Sequence, residues 1–314
     1  MFTFLASLIT LEVHRLPRRF HPRYRPAKQN YFNFPAYRQS SQSCRDVTEK
    51  EISPIHVLFN VLPKTGSRTL YDIALDVSRK TDRYAVYNTM LLQNETKIAK
   101  IEGILKTSNV STFIYSHMPY LDFSYTGANV VHISIVREPI DRLVSLHYFK
   151  IYGDATKYGP FRAKMDAMNL TKESFRDCMT RNGSCVAEWL LWSNVKYFCG
   201  INFADEGLKY PTREACVLKA KRNIIKQYLV VGLMEDYFSF VKSLEKLMPC
   251  FFSDFSQTYE RMLKEGSFSR YKTRNYHGVT ARQRKYLQRK MSEDYELFSF
   301  ITKNFQLLKK DLDV

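Results

Sequence analysis

Two hydrophobic rhythms alternate along most of this chain. A largely apolar run from Ile55 to Leu62 (IHVLFNVL) stops at Pro63. After a short polar loop, LYDIALDVSRK sets Leu70, Ile73, Ala74 and Val77 at helical spacing. Val130 to Val136 (VVHISIV) repeats the strand signal and breaks at Arg137-Glu138-Pro139. Pro139 suits the first turn of a helix, and Ile140, Leu143, Val144 and His147 continue it. A third unit reads YLVVGL, Tyr228–Leu233, followed by EDYFSFVKSLEKLM. From near Thr280 a C-terminal helix is predicted, with Leu287, Met291, Tyr295, Phe298, Ile301 and Phe305 as its core stripe. Strands alternating with helices predict an α/β domain, a central parallel sheet flanked by helices on both faces.

Ahead of this domain the pattern changes. Met1–Val13 (MFTFLASLITLEV) is apolar but shorter than the roughly twenty residues a helix needs to cross a bilayer. A weak signal peptide, the remnant of an anchor and an alternative start all fit it. Residues 15–52 are rich in Arg, Pro, Tyr and Gln without hydrophobic period, as in an extended stem. The expected organisation is therefore a 1–14 apolar segment, a 15–52 stem and a 53–314 catalytic domain.

Composition adds a partner class. Of 314 residues, 45% are hydrophobic and 25% charged, which excludes disorder throughout, and the net charge is +17. That excess suits a polyanion: nucleic acid, an anionic membrane, a nucleotide or an acidic polysaccharide. Six cysteines include no C-x-x-C pair and no Cys/His cluster with zinc spacing, so no metal site is expected. Four of them crowd into residues 178–216, where pairs such as Cys178–Cys185 and Cys199–Cys216 would staple a loop-rich stretch in an oxidising compartment. Buried free thiols are the alternative on the cysteines alone. Asn94, Asn109, Asn169 and Asn182 each open an N-x-[ST] sequon, which favours a lumenal or extracellular setting.

Two segments carry candidate chemistry. Pro63-Lys64-Thr65-Gly66-Ser67-Arg68-Thr69 joins a strand to a helix, the arrangement in which backbone N–H groups and a helix N-terminus face an anion. It is not a Walker A loop, because Lys64 precedes the glycine. Taken alone, an ordinary polar turn explains it equally well. Arg137 ends the second strand and Ser145 lies about two turns into the next helix, a cation and a hydroxyl suited to a phosphate monoester. A helix-start arginine paired with Glu138 or Asp141 is the plain alternative.

Together these segments resemble the 5′-phosphosulfate loop and the 3′-phosphate motif of sulfotransferases that use 3′-phosphoadenylyl sulfate (PAPS). SHMPYLDF, FKIYGD, YFCG and DYELFSFITKNFQLLKK narrow the resemblance to the uronyl 2-O-sulfotransferases over about residues 55–310. The resemblance implies PAPS as sulfate donor, bound by Lys64, Thr65, Gly66, Ser67, Arg68, Thr69, Arg137 and Ser145. It also implies a covering loop with Tyr259 and Thr273. His117 stands where the family has its catalytic base, and Lys64 would neutralise the bridging oxygen. The acceptor is a uronic acid 2-hydroxyl in a glycosaminoglycan, with Arg162, Lys164 and Arg270 as candidate cations. The heparan branch has a second histidine where this chain has Tyr115, and the G-S-R-T loop is closer to the dermatan/chondroitin branch. A dermatan- or chondroitin-like acceptor is therefore expected over heparan. The family further implies a Golgi membrane or lumen, pairing of neighbouring cysteines around 178–185, and homo-oligomers, trimers among them. Neither metal nor nucleic acid enters this picture. Its rivals are a P-loop nucleotide kinase and a non-catalytic polyanion-binding module.

Overall fold

A computed structural model describes residues 53–89, 94–154, 173–200 and 212–314. Five strands form one wholly parallel sheet in the order β2-β3-β1-β4-β5. They are β1 (Ile55–Val61), β2 (Ala85–Asn88), β3 (Thr112–Ser116), β4 (Asn129–Val136) and β5 (Tyr228–Leu233). The main helices are α1 (Ser67–Thr81), α2 (Asn94–Thr107), α3 (Pro139–Tyr152), α4 (Phe175–Thr180), α5 (Ser193–Cys199) and α6 (Arg213–Gln227). After β5 come α7 (Tyr237–Leu247), α8 (Phe255–Lys264), α9 (Ala281–Lys290) and α10 (Ser292–Leu312). The expected α/β architecture is thus present.

The alternation of side chains along each strand decides which helix covers which face. Leu58 and Ile114 turn to one side and pack with Ile101 and Leu105 of α2. Phe59, Phe113, Val131 and Ile133 turn to the other, against Leu70, Ile73 and Val77 of α1, Phe240 and Leu244 of α7, and Ile301 and Phe305 of α10. Both faces are buried, as a parallel sheet requires. Gly232 of β5 makes the approach of α7 possible, because a Cβ there would stand 2.2 Å from the Phe240 ring.

Several elements depart from the sequence expectation. The C-terminal helix is two helices, α9 and α10, parted at Met291 (φ −112°, ψ 28°). The break lets the first turn of α10 bring Asp294 under α5, where its carboxylate accepts from the Asn194 and Val195 backbone N–H groups at 3.3 and 3.0 Å. Strands β2 and β3 were not anticipated at all. Each is five residues or fewer, too short for a period to stand out.

The crowded cysteines form two disulfides, Cys178–Cys185 (Cα–Cα 6.2 Å) and Cys199–Cys216 (Cα–Cα 5.3 Å). A ring nitrogen of His147 lies within 4.8 Å of both sulfurs of the first pair, but sulfurs committed to a disulfide offer no thiolate to a metal. Asn109 and Asn182 are exposed and Asn94 opens α2; Asn169, Arg162, Lys164, Cys44 and the 1–14 and 15–52 segments lie outside the described residues. No described helix is long and apolar enough to cross a membrane.

Candidate active site

The strand order explains why the sequence-predicted residues meet. The phosphate-type loop follows β1, His117 follows β3, and Arg137 follows β4. These three strands are neighbours, with β1 in the middle. The chain goes from β3 to β4 across β1, so the three loops leave one sheet edge at a topological switch point, where open α/β sheets bind ligands.

In the loop, Gly66 adopts φ 76° and caps α1, a conformation glycine reaches without a Cβ penalty. A side chain would also meet the Tyr237 ring at 3.3 Å, and the Tyr237 hydroxyl donates to the Gly66 carbonyl at 3.2 Å. Thr65 is buried and donates back to the Leu62 carbonyl at 2.9 Å, so it braces the loop from within. Thr69 closes the first turn through its N–H to Gly66 O at 3.0 Å. The first turn of α1 holds no acidic residue, which leaves its positive end uncompensated.

Cations converge here. Lys64 has φ 70°, the left-handed region that a non-glycine residue rarely adopts, and its Nζ stands 3.9 Å above the Phe149 ring of α3. Burial, then the nearby Arg68 and Arg137 charges, push the Lys64 ammonium down to about 7, against a partial pull upward from Asp154. Arg137 reaches Lys64 O only at the 3.5 Å limit of a hydrogen bond. Arg68 pairs with the buried Asp154 carboxylate, and its guanidinium lies 4.1 Å from the Tyr271 ring centre. Among the described residues one carboxylate stands with three cations, Lys64, Arg68 and Arg137, so the cluster carries a net positive charge when Lys64 is protonated. A phosphosulfate fits that charge.

His117 lies just beyond β3, half-buried. Its carbonyl accepts from Lys97 Nζ at 2.8 Å, and its ring stands edge-on to Tyr115 at 5.8 Å. Burial first, and then Lys97 and Arg68, lower its pKa to about 4, so the imidazole is neutral at physiological pH. His132 is also neutral but has a structural explanation: its Nδ1 meets Asn60 Oδ1 at 2.8 Å inside the sheet.

On the other side of the loop, Ser145 is buried in α3 and lies 3.0 Å from the Thr273 hydroxyl. Thr273 is held there by an isolated bridge to Asp154 and by Arg274 N–H to Gly153 O at 3.1 Å. Segment 267–274 thus does fold over α3. Tyr259 stacks between Tyr237 and Phe268 (5.4 and 5.8 Å), which links it to Gly66 through Tyr237. Arg270 pairs with Asp72 at 2.7 Å and keeps about half of its side chain exposed. Sequence reasoning missed Asp154, Lys97, Tyr237 and Phe149. Asp154 sits in the quoted FKIYGD stretch, which was the one available hint.

Comparison with known proteins bears on the family. The model of the sulfotransferase family matches residues 52–301. Heparan sulfate 2-O-sulfotransferase 1 of Mus musculus is 31% identical over 224 residues, 68% of this chain and 61% of that protein. The Homo sapiens protein of that name is 30% identical with the same coverage, and heparin sulfate O-sulfotransferase of Drosophila melanogaster is 30% identical over 66% of this chain and 60% of its own. The chain thus spans about three-fifths of the length of these relatives. Among solved structures, retinol dehydratase with androsterone and the inactive cofactor PAP aligns over 89% of this chain and 87% of its own, at 12% identity and a TM-score of 0.32, a level that carries no argument. With a family model matched from residue 52 to residue 301, across all three loops that meet at the sheet edge, this chain belongs to the sulfotransferase family.

Proposed function

We propose that the chain transfers a sulfuryl group from PAPS to the 2-hydroxyl of a uronic acid residue in a glycosaminoglycan. The observation that carries this is the convergence of a neutral histidine, a cation-rich lysine loop and a second arginine on three adjacent strand ends. The donor supplies the sulfuryl group, and the chain supplies everything around it. His117, neutral above about pH 4, takes the proton from the attacking hydroxyl. Lys97 anchors its backbone. Lys64 and the α1 N-terminus offset the charge that grows on the departing phosphate oxygen. Arg137, Ser145 and Thr273 are offered to the 3′-phosphate, and Tyr259 to the covering of the nucleotide.

A polyanionic acceptor is supported by the chain between Gly266 and Met291, which contains no Asp or Glu. Lys272, Arg274, Arg282, Lys285, Arg289 and Lys290 are exposed there and have no ion pair among the described residues. The two disulfides favour an oxidising compartment, in keeping with a Golgi setting. The relatives named above carry heparan sulfate in their names, and they give no support to the dermatan/chondroitin preference. Tyr115, one basis for that preference, is buried against Ser67. The proposal therefore names the uronate, and leaves the polymer to product analysis.

Three variants test the roles. Lys64→Ala should lower kcat by about 10²–10³-fold. Arg137→Ala should weaken PAPS binding by about 1.5–3 kcal/mol. His117→Ala should abolish transfer and leave binding of 3′-phosphoadenosine 5′-phosphate (PAP) intact. Near-normal transfer by the Lys64 or His117 variant contradicts the assignment.

A further inference from the structure

Tyr115 is the residue by which this chain departs from the heparan branch, and the proposed function leaves it without a task. It occupies β3 two positions before His117, which lies just past the strand end, and the two rings stand edge-on at 5.8 Å. Its ring is buried among Phe59 (5.9 Å), Tyr71 (4.9 Å) and His117. Its hydroxyl lies 3.1 Å from Ser67 Oγ, the first residue of α1 in the phosphate-type loop.

At 3.1 Å either hydroxyl can donate to the other. With an anion at the positive end of α1 to accept from Ser67, the phenol donates its own proton in a hydrogen bond to Ser67 Oγ. Burial also raises the phenol to about 12, so it keeps that proton throughout the working range. In that arrangement Ser67 accepts from Tyr115 and donates to the bound anion.

We infer that Tyr115 is a positioning residue: its hydroxyl fixes Ser67 as a donor to the bound phosphosulfate and ties the anion loop to the strand that ends in His117. This rests on the proposed function of the loop. The Tyr115 ring fills the core between β1 and α1, so phenylalanine retains the packing and removes only the tether.

The test is PAP affinity by isothermal titration for the wild type, Tyr115→Phe, Ser67→Ala, the double variant and Lys64→Ala, with Tm measured for each. Tyr115→Phe should weaken PAP binding about two- to tenfold, the range for one net hydrogen bond, with Tm little changed. The double variant should bind as weakly as Ser67→Ala alone, because the phenol acts only through that serine. Unchanged PAP affinity in Tyr115→Phe, or fully additive losses, overturns the inference. Should Tyr115→Phe fail to fold, 3-fluorotyrosine at position 115 keeps the shape and gives a stronger donor. PAP must then bind at least as tightly as to the wild type, and weaker binding overturns the inference. If Lys64→Ala and Ser67→Ala both leave PAP binding untouched, the loop assignment fails and this inference falls with it. If they weaken binding and Tyr115→Phe does not, only the inference fails.

Discussion

Lys64 and His117 are both cation-forming groups held in surroundings that favour their neutral forms, and the proposed chemistry needs them in opposite states. His117 must be unprotonated to act as a base, and burial with Lys97 and Arg68 nearby brings its pKa to about 4. Lys64 must be charged, and in the free protein it loses its proton around 7. The working window follows from the signs. As pH rises through about 4, His117 gives up its proton and kcat/KM rises; as pH passes about 7, Lys64 gives up its own and kcat/KM falls. Lys64→Arg, charged at every accessible pH, should retain the acid limb and lose the alkaline one. An acid limb near 6.5, the value of an ordinary histidine, would mean that the base is not His117 in its half-buried setting. At this scale the sequence was informative where a residue belongs to a contiguous loop: Lys64, Gly66 and Arg137 stand where their motifs put them. Asp154, Lys97 and Tyr237 could not be read in the same way. Each acts on a residue far along the chain, such as Tyr237 on Gly66, and only the folded sheet sets that distance.

Among the ten main helices of the described residues, α9 is the least buried and the most basic. Only Leu287 and the partly covered Gln283 and Arg284 turn inward, and a Thr280–Gln283 capping box secures its start. Arg284 is spent on Glu138 and Asp141 at the start of α3. The outward Arg282, Lys285 and Arg289 lack such partners among the described residues. Reversing these three charges should lower the salt concentration at which the protein elutes from immobilised heparin. Affinity for long acceptor chains should weaken by about tenfold or more, since the electrostatic contributions of separate contacts compound. PAP binding should not change. Unaltered heparin elution would remove α9 from the acceptor surface. Helices α1, α3 and α7 and strands β1, β4 and β5 were legible because their hydrophobic patterns are sustained, whereas α2, α4, α5, α6 and α8 were not read from the sequence. The division between α9 and α10 was not, because the apolar stripe runs through Met291 without interruption and the break answers to Asp294 meeting α5. Strand β3, which carries Tyr115 and leads to His117, is too short to announce itself.

For the molecule as a whole, the consequential fact is the position of β1 between β3 and β4. Alternating strand and helix signals predict a parallel sheet but leave the strand order open, and the order is what places base, anion loop and second cation together. The family follows from the match over residues 52–301, whereas the acceptor is the proposed part of the account. It is tested most directly by incubating the protein with labelled PAPS and a panel of desulfated heparan, dermatan and chondroitin chains, followed by disaccharide analysis. The account predicts label on the 2-hydroxyl of uronate residues, lost in His117→Ala while that variant still binds PAP. No label on any chain, or label confined to hexosamine positions, would contradict it.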